Sequence, residues 1–293
     1  MSSFISYLIS GISLGSVYAI IALGYTMVYG IAKMLNFAHG DIIMVGAYAI
    51  LTTIMAAGNI PLAIVISVIV CTVLGILTEK AAYKPLRGAS PLAVLITAIG
   101  VSYFLQNMAQ IIWGANPKSF PSVLSIPSIV LFDGQLVISG ETMVTVLANI
   151  VIMVGLTLFT NKTKMGKAMR VVSEDRGAAE LMGINVNFTI SLTFAIGSAL
   201  AAIAGVLLCS SYPVLQPTTG SMPGIKAFTA AVFGGIGSIP GALIGGLLLG
   251  VIEILGKAYV STELSDALVF AVLIVVLLVK PTGLLGKAVH EKV

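Results

Sequence analysis

An all-α, polytopic transmembrane helical bundle of about eight membrane segments (eight to ten) is the fold this sequence predicts, and three observations predict it. Hydrophobic residues make up 58% of the 293 and charged residues only 9%, where soluble domains carry about a quarter charged. The mean hydropathy is +1.10. The apolar residues also gather into runs near the roughly 20 residues that a helix needs to cross about 30 Å of hydrocarbon.

The runs fall at 5–30, 41–57, 61–78, 91–113, 142–160, 188–212, 226–256 and 264–280. The first lacks the basic start of a signal peptide and is expected to stay as a helix. The seventh is too long for one simple span and is interrupted by Gly234, Gly235, Gly237, Pro240 and Gly241. A broken or re-entrant helix is expected there. Thirty-one glycines suit close backbone contact between helices in lipid. Cys71 and Cys209 sit inside apolar runs and are expected to be small buried side chains, not a disulfide framework.

Positive residues orient the bundle. Lys80, Lys84 and Arg87 mark the loop at 79–88 as cytoplasmic, and Lys162, Lys164, Lys167, Arg170 and Arg176 mark the loop at 161–187 likewise. The stretch 114–141 between them, with Lys118, Asp133 and Glu141, falls outside. Lys280, Lys287 and Lys292 favour a cytoplasmic C-terminus, a parity that needs the seventh run to be broken. The net charge of +4 is spent on these loops, which argues against nucleic acid as a partner. The whole chain, 1–293, reads as one membrane domain.

Within 161–187, Arg170, Glu174, Asp175, Arg176 and Glu180 form the one long charged segment of the chain. Ser173, Glu174 and Asp175 resemble a helix start, Ala178, Ala179, Glu180, Leu181 and Met182 favour its continuation, and Gly183 ends it. A short helix at the membrane face follows. Leu181 and Met182 beside charges give it an apolar knob with a polar rim, while an ordinary solvated helix that fixes topology is the plain alternative.

Three further groups stand out. Asn36, Phe37, Ala38, His39, Gly40 and Asp41 place an amide, an imidazole and a carboxylate between two apolar runs, either lining a path through the bundle or forming a solvated turn in which Asp41 caps the next helix. Ser102, Gln106 and Gln110 repeat along one helix face with Asn107 adjacent, suited to a translocation path or to hydrogen bonds between helices. Gly237, Gly241 and Gly245 recur every four residues, a packing stripe before a hinge. Glu253 and Lys257 read as an i, i+4 neutralised pair.

No phosphate-binding Gly-rich loop with Lys and Ser or Thr occurs, no ligand set suggests a metal or cofactor, and no nucleophile has a base at recognisable spacing. An enzyme is not expected, and energy has to come from another chain.

Ala178, Ala179 and Gly183 resemble the core of the EAA loop of ABC importer permeases, with Gly177 standing where the family has a Glu. The stretch from Asn36 to Asp41 and the glycine run from Phe233 to Gly246 resemble the shorter of the two permease subunits of branched-chain amino-acid importers, from Gly11 to about Gly283. That resemblance implies a multi-pass protein of the bacterial cytoplasmic (inner) membrane that carries hydrophobic amino acids inward. It also implies a second permease subunit, two ATP-binding subunits and an external substrate-binding protein as partners, with the helix around 174–183 as the coupling element. Beside it stand an ion-coupled secondary transporter, an ABC permease for a related amide, urea or sugar, and a non-transporting scaffold.

Overall fold

The computed structural model describes residues 2–124, 126–131 and 136–286. Asp133, Lys287, His290 and Lys292 lie outside them. The helices are α1 (Ser2–Ala32), α2 (His39–Ala57), α3 (Ile60–Thr78), α4 (Pro91–Trp113), α5 (Gly140–Lys162), α6 (Lys164–Glu174), α7 (Arg176–Leu181), α8 (Val186–Ser211), α9 (Ser221–Gly234), α10 (Ile239–Tyr259) and α11 (Ser265–Val279). Seven of them are long and apolar enough to cross a membrane, and α11 is a shorter apolar helix. The chain is a polytopic helical membrane protein, as its composition predicts.

Most of the helices begin at a side-chain cap. The side chains of Asn59, Ser90, Ser139, Asn185 and Ser238 accept from backbone N–H groups of α3, α4, α5, α8 and α10, which satisfies donors a helix start otherwise leaves unpaired. After α3 the chain tightens through a π turn (Glu79–Tyr83) and a 3-10 turn (Lys84–Leu86). Four short strands form two antiparallel ribbons, β1 (Lys118–Ser119) with β4 (Val214–Leu215) and β2 (Ile129–Leu131) with β3 (Leu136–Ile138). Hydropathy gave no sign of these.

α1 is the spine. It packs on α10 along small residues, so that a methyl group added at Gly246 would meet Ala19 and one at Gly11 would meet Val251. α8 buries most of its surface among α1, α2 and α3. Cys71 and Cys209 are both free and buried.

The broken seventh run is resolved into α9 and α10, joined across Gly235 (φ 105°), Ile236, Gly237 (φ 93°) and Ser238. Only glycine takes those angles without strain. Gly234 and Gly241 press on each other, Gly245 presses on Ala230, and Pro240 sits in the first turn of α10, where its missing N–H costs nothing.

The loop at 161–187 differs from expectation in one respect. It holds two helices, not one, because Ser173 lies inside α6, where its hydroxyl donates to the Arg170 carbonyl. Asp175 is the cap instead, accepting from the Ala178 N–H at 3.0 Å. Gly183 ends α7 at φ 77°, as the sequence suggests.

Candidate functional site

The polar residues singled out in the sequence fall in two main regions, one deep in the bundle and one at its basic face. The first forms around the start of α2. α1 ends at Ala32, and Lys33 in a left-handed turn (φ 55°) sends residues 33–38 back along the bundle, so that α2 begins inside it. The His39 imidazole lies against Gly24 of α1, eight residues from the end of that helix, or about 12 Å. His39 and Asp41 are each 1% exposed. Asp41 therefore does not cap a solvated turn: nearness to a segment end in sequence is not nearness to the membrane face.

The Gln106 amide of α4 donates to Asp41 at 2.9 Å, and its nitrogen also lies 3.2 Å from Ser102 and from Ser221 of α9. Asn36 accepts from the Tyr83 hydroxyl at 2.8 Å, which the π turn after α3 brings into reach. His39 meets Tyr25 edge-on at 4.7 Å, and its Nε2 has no hydrogen-bond partner among the described residues. Asp41, Ser102 and Gln106 are thus brought together, while Asn36 and His39 lie beside them on the same turn but face Tyr83 and α1 instead. Asn107, exposed and bonded to the carbonyl of Tyr103, and exposed Gln110 are not part of this group.

Ser221 carries no sequence signal of its own, yet it closes this cluster because α9 starts beside α2. Gly40, Gly220 and Gly224 make that approach possible: a methyl group at Gly224 would sit 3.0 Å from Gly40 Cα, and one at Gly220 would fall on the Gly40 carbonyl. Two helix N-termini, each carrying partial positive charge, therefore converge inside the bundle beside one carboxylate. Gly40→Ala is expected to cost about 1–3 kcal/mol by overpacking, read as a lower unfolding temperature in detergent.

The second region is the basic face. The Arg176 guanidinium donates to the Ala32 carbonyl at 2.5 Å, which ties α7 to the end of α1. Burial, and secondly the Arg87 charge, lower its pKa from the usual arginine value. Arg87 pairs with Glu79 and Asn187, and Glu79 accepts from Ser191 at 2.6 Å, so the two basic loops lie on one side. Ala179 is fully buried, whereas Leu181 is 92% and Met182 71% exposed. Glu174, Asp175 and Glu180 carry charge around them.

Comparison with known proteins identifies the family. The model of the branched-chain amino acid transport system / permease component matches residues 7–277. The chain belongs to that family. It is 46% identical to the high-affinity branched-chain amino acid transport system permease protein LivH of Salmonella typhimurium, over 99% of this chain and 98% of that one. It is 45% identical to the corresponding protein BraD of Pseudomonas aeruginosa with the same coverage. A probable LivH of Methanocaldococcus jannaschii is 32% identical over 91% of this chain and 88% of its own length. The chain is accordingly a multi-pass inner-membrane permease component of an ABC transport system. Among the described residues no group of three metal-ligating side chains comes together.

Proposed function

We propose that this chain, as a single permease domain over 1–293, moves branched-chain amino acids into the cytoplasm together with a second permease subunit, two ATP-binding subunits and an external binding protein. The loop at 161–187 is cytoplasmic and receives an ATP-binding subunit, and the segment 114–141 faces outward. The observation that carries this reading is the exposure of Leu181 and Met182 on a helix whose other side is anchored through Ala179 and Arg176. Large apolar side chains held rigidly above a polar loop suit a partner's groove better than water.

ATP-driven closure of the partner pair pushes α7, and Arg176 passes the push to the end of α1. The chain from Ala32 to His39 then carries it to Asn36, His39, Asp41, Ser102 and Gln106, which line the translocation path. The Gly235 to Ser238 turn is the hinge on which α9 moves. The test is leucine uptake in proteoliposomes: uptake is expected only with ATP, both ATP-binding subunits and the binding protein. Ion-gradient uptake by the purified permease alone, without ATP, overturns the proposal.

A further inference from the structure

A second buried charge cluster joins α1, α9, α10 and α11 on the side of the bundle away from the basic loops. Glu253 of α10 is 1% exposed. Its Oε1 accepts from Lys226 at 2.9 Å and from Lys257 at 2.6 Å, and its Oε2 accepts from the Tyr18 hydroxyl at 2.8 Å. Lys226 also pairs with Asp266 of α11 at 2.6 Å. Glu253 and Lys257 are thus a neutralised pair, as their spacing suggests, but inside a larger network whose two cations and two anions balance.

This network walls a cavity of about 210 Å³, smaller than the roughly 300 Å³ at which drug-sized pockets begin. Its wall combines ionic groups, Lys226, Glu253 and Lys257, with aliphatic ones, Leu14, Leu208 and Met222, beside Tyr212 and Thr219. Tyr18 stands six residues along α1 from Gly24, about 9 Å farther from the basic face than the His39 ring that packs on Gly24. α9 separates the two: Met222 and Lys226 face the cavity while Ser221 bonds Gln106.

Resting on the importer reading above, we propose that this cavity is an outward-facing receiving site for a zwitterionic aliphatic amino acid, ahead of the Asp41 cluster. Lys257 makes one hydrogen bond among the described residues, to Glu253, so two of its three N–H donors are available for the incoming α-carboxylate. Glu253 Oε2, which among the described residues accepts from Tyr18 alone, takes the α-ammonium. The aliphatic side chain lies against Leu14, Leu208 and Met222. A net-neutral ligand entering a net-neutral network adds no charge to a region where uncompensated charge is costly. That disfavours a cation without its carboxylate, and a urea or sugar brings no charges to pair with Lys257 and Glu253.

The test uses the complete transporter in nanodiscs, without nucleotide or binding protein. Cys71 and Cys209 are fully buried, so Met222→Cys on the cavity wall reports occupancy through its labelling by a membrane-impermeant maleimide. L-leucine at ten times its dissociation constant is expected to slow labelling about tenfold, and leucinol, which lacks the carboxylate, to leave it unchanged. Protection is expected to vanish with Lys257→Gln and to persist with Lys257→Arg, which keeps the donors and shows that the cavity stays formed. Labelling indifferent to leucine, or protected equally in Lys257→Gln, overturns the proposal. ATP-driven leucine uptake by the unsubstituted complex, measured in parallel, judges the importer reading separately.

Lys226 anchors the half-helix α9 to both α10 and α11. Lys226→Met leaves Asp266 without this partner, while Glu253 keeps Lys257 and Tyr18. A lower melting temperature in detergent is therefore expected, with the Glu253 end of the network still paired.

Discussion

Leu181→Asp is expected to abolish ATP-driven uptake, lowering it by at least about 100-fold, while the permease accumulates and melts as before. The side chain is 92% exposed, so the substitution breaks nothing inside the chain, and surface changes of that kind usually alter stability by no more than about 0.5 kcal/mol. Its effect falls on the partner. Truncating an anchoring apolar residue in an interface costs about 2 kcal/mol or more, and an unpaired carboxylate placed in an apolar groove adds to that. At about 1.4 kcal/mol per tenfold, a combined loss near 3 kcal/mol gives the stated factor. Copurification of the ATP-binding subunits with the variant permease is the direct check. Undiminished copurification and transport would remove Leu181 from the interface.

Substitution of Asp41 strikes the other end of the same path. Asp41→Ala leaves the Gln106 amide without its 2.9 Å acceptor, and it removes a carboxylate at the converging starts of α2 and α9. Losing a hydrogen bond to a charged acceptor costs about 1.5–3 kcal/mol, and the Ser102 and Ser221 hydroxyls at 3.2 Å replace a carboxylate only in part, so uptake is expected to fall by about tenfold or more. Asp41→Asn keeps an oxygen for Gln106 and loses only the charge, so it is expected to fall between wild type and Ala. The pair separates hydrogen bonding from charge. Transport by Asp41→Ala equal to wild type would show that the cluster holds helices together and lines no path.

The bundle was legible because hydrocarbon demands length and apolarity, and those are written along the chain. The break between α9 and α10 could be read as well, since Gly235 and Gly237 occupy angles other residues avoid. Three features could not be read that way. α6 was hidden because its first turns look like a basic loop, and the helix depends on packing Met169 and Val172 inward. The depth of Asp41 was hidden because the chain doubles back at Lys33, which no hydropathy window registers. Lys226 was hidden because its carboxylate partners lie 27 and 40 residues away on two other helices, a separation no local spacing rule spans. Gln110 shows the converse: its i, i+4 spacing puts it on the right face of α4, but one turn beyond Gln106, where it is exposed.

Everything in the coupling scheme depends on the loop helices meeting an ATP-binding subunit, and a cysteine at Met182 tests that contact most directly. With the exposed Met182 replaced by Cys in the assembled transporter, and cysteines placed along the groove of the ATP-binding subunit, a short bifunctional thiol reagent should join the two chains in high yield. The bond should form on the cytoplasmic side only. Labelling of the Met182→Cys thiol by an impermeant reagent from outside intact cells, with no cross-link to the ATP-binding subunit, would contradict the account.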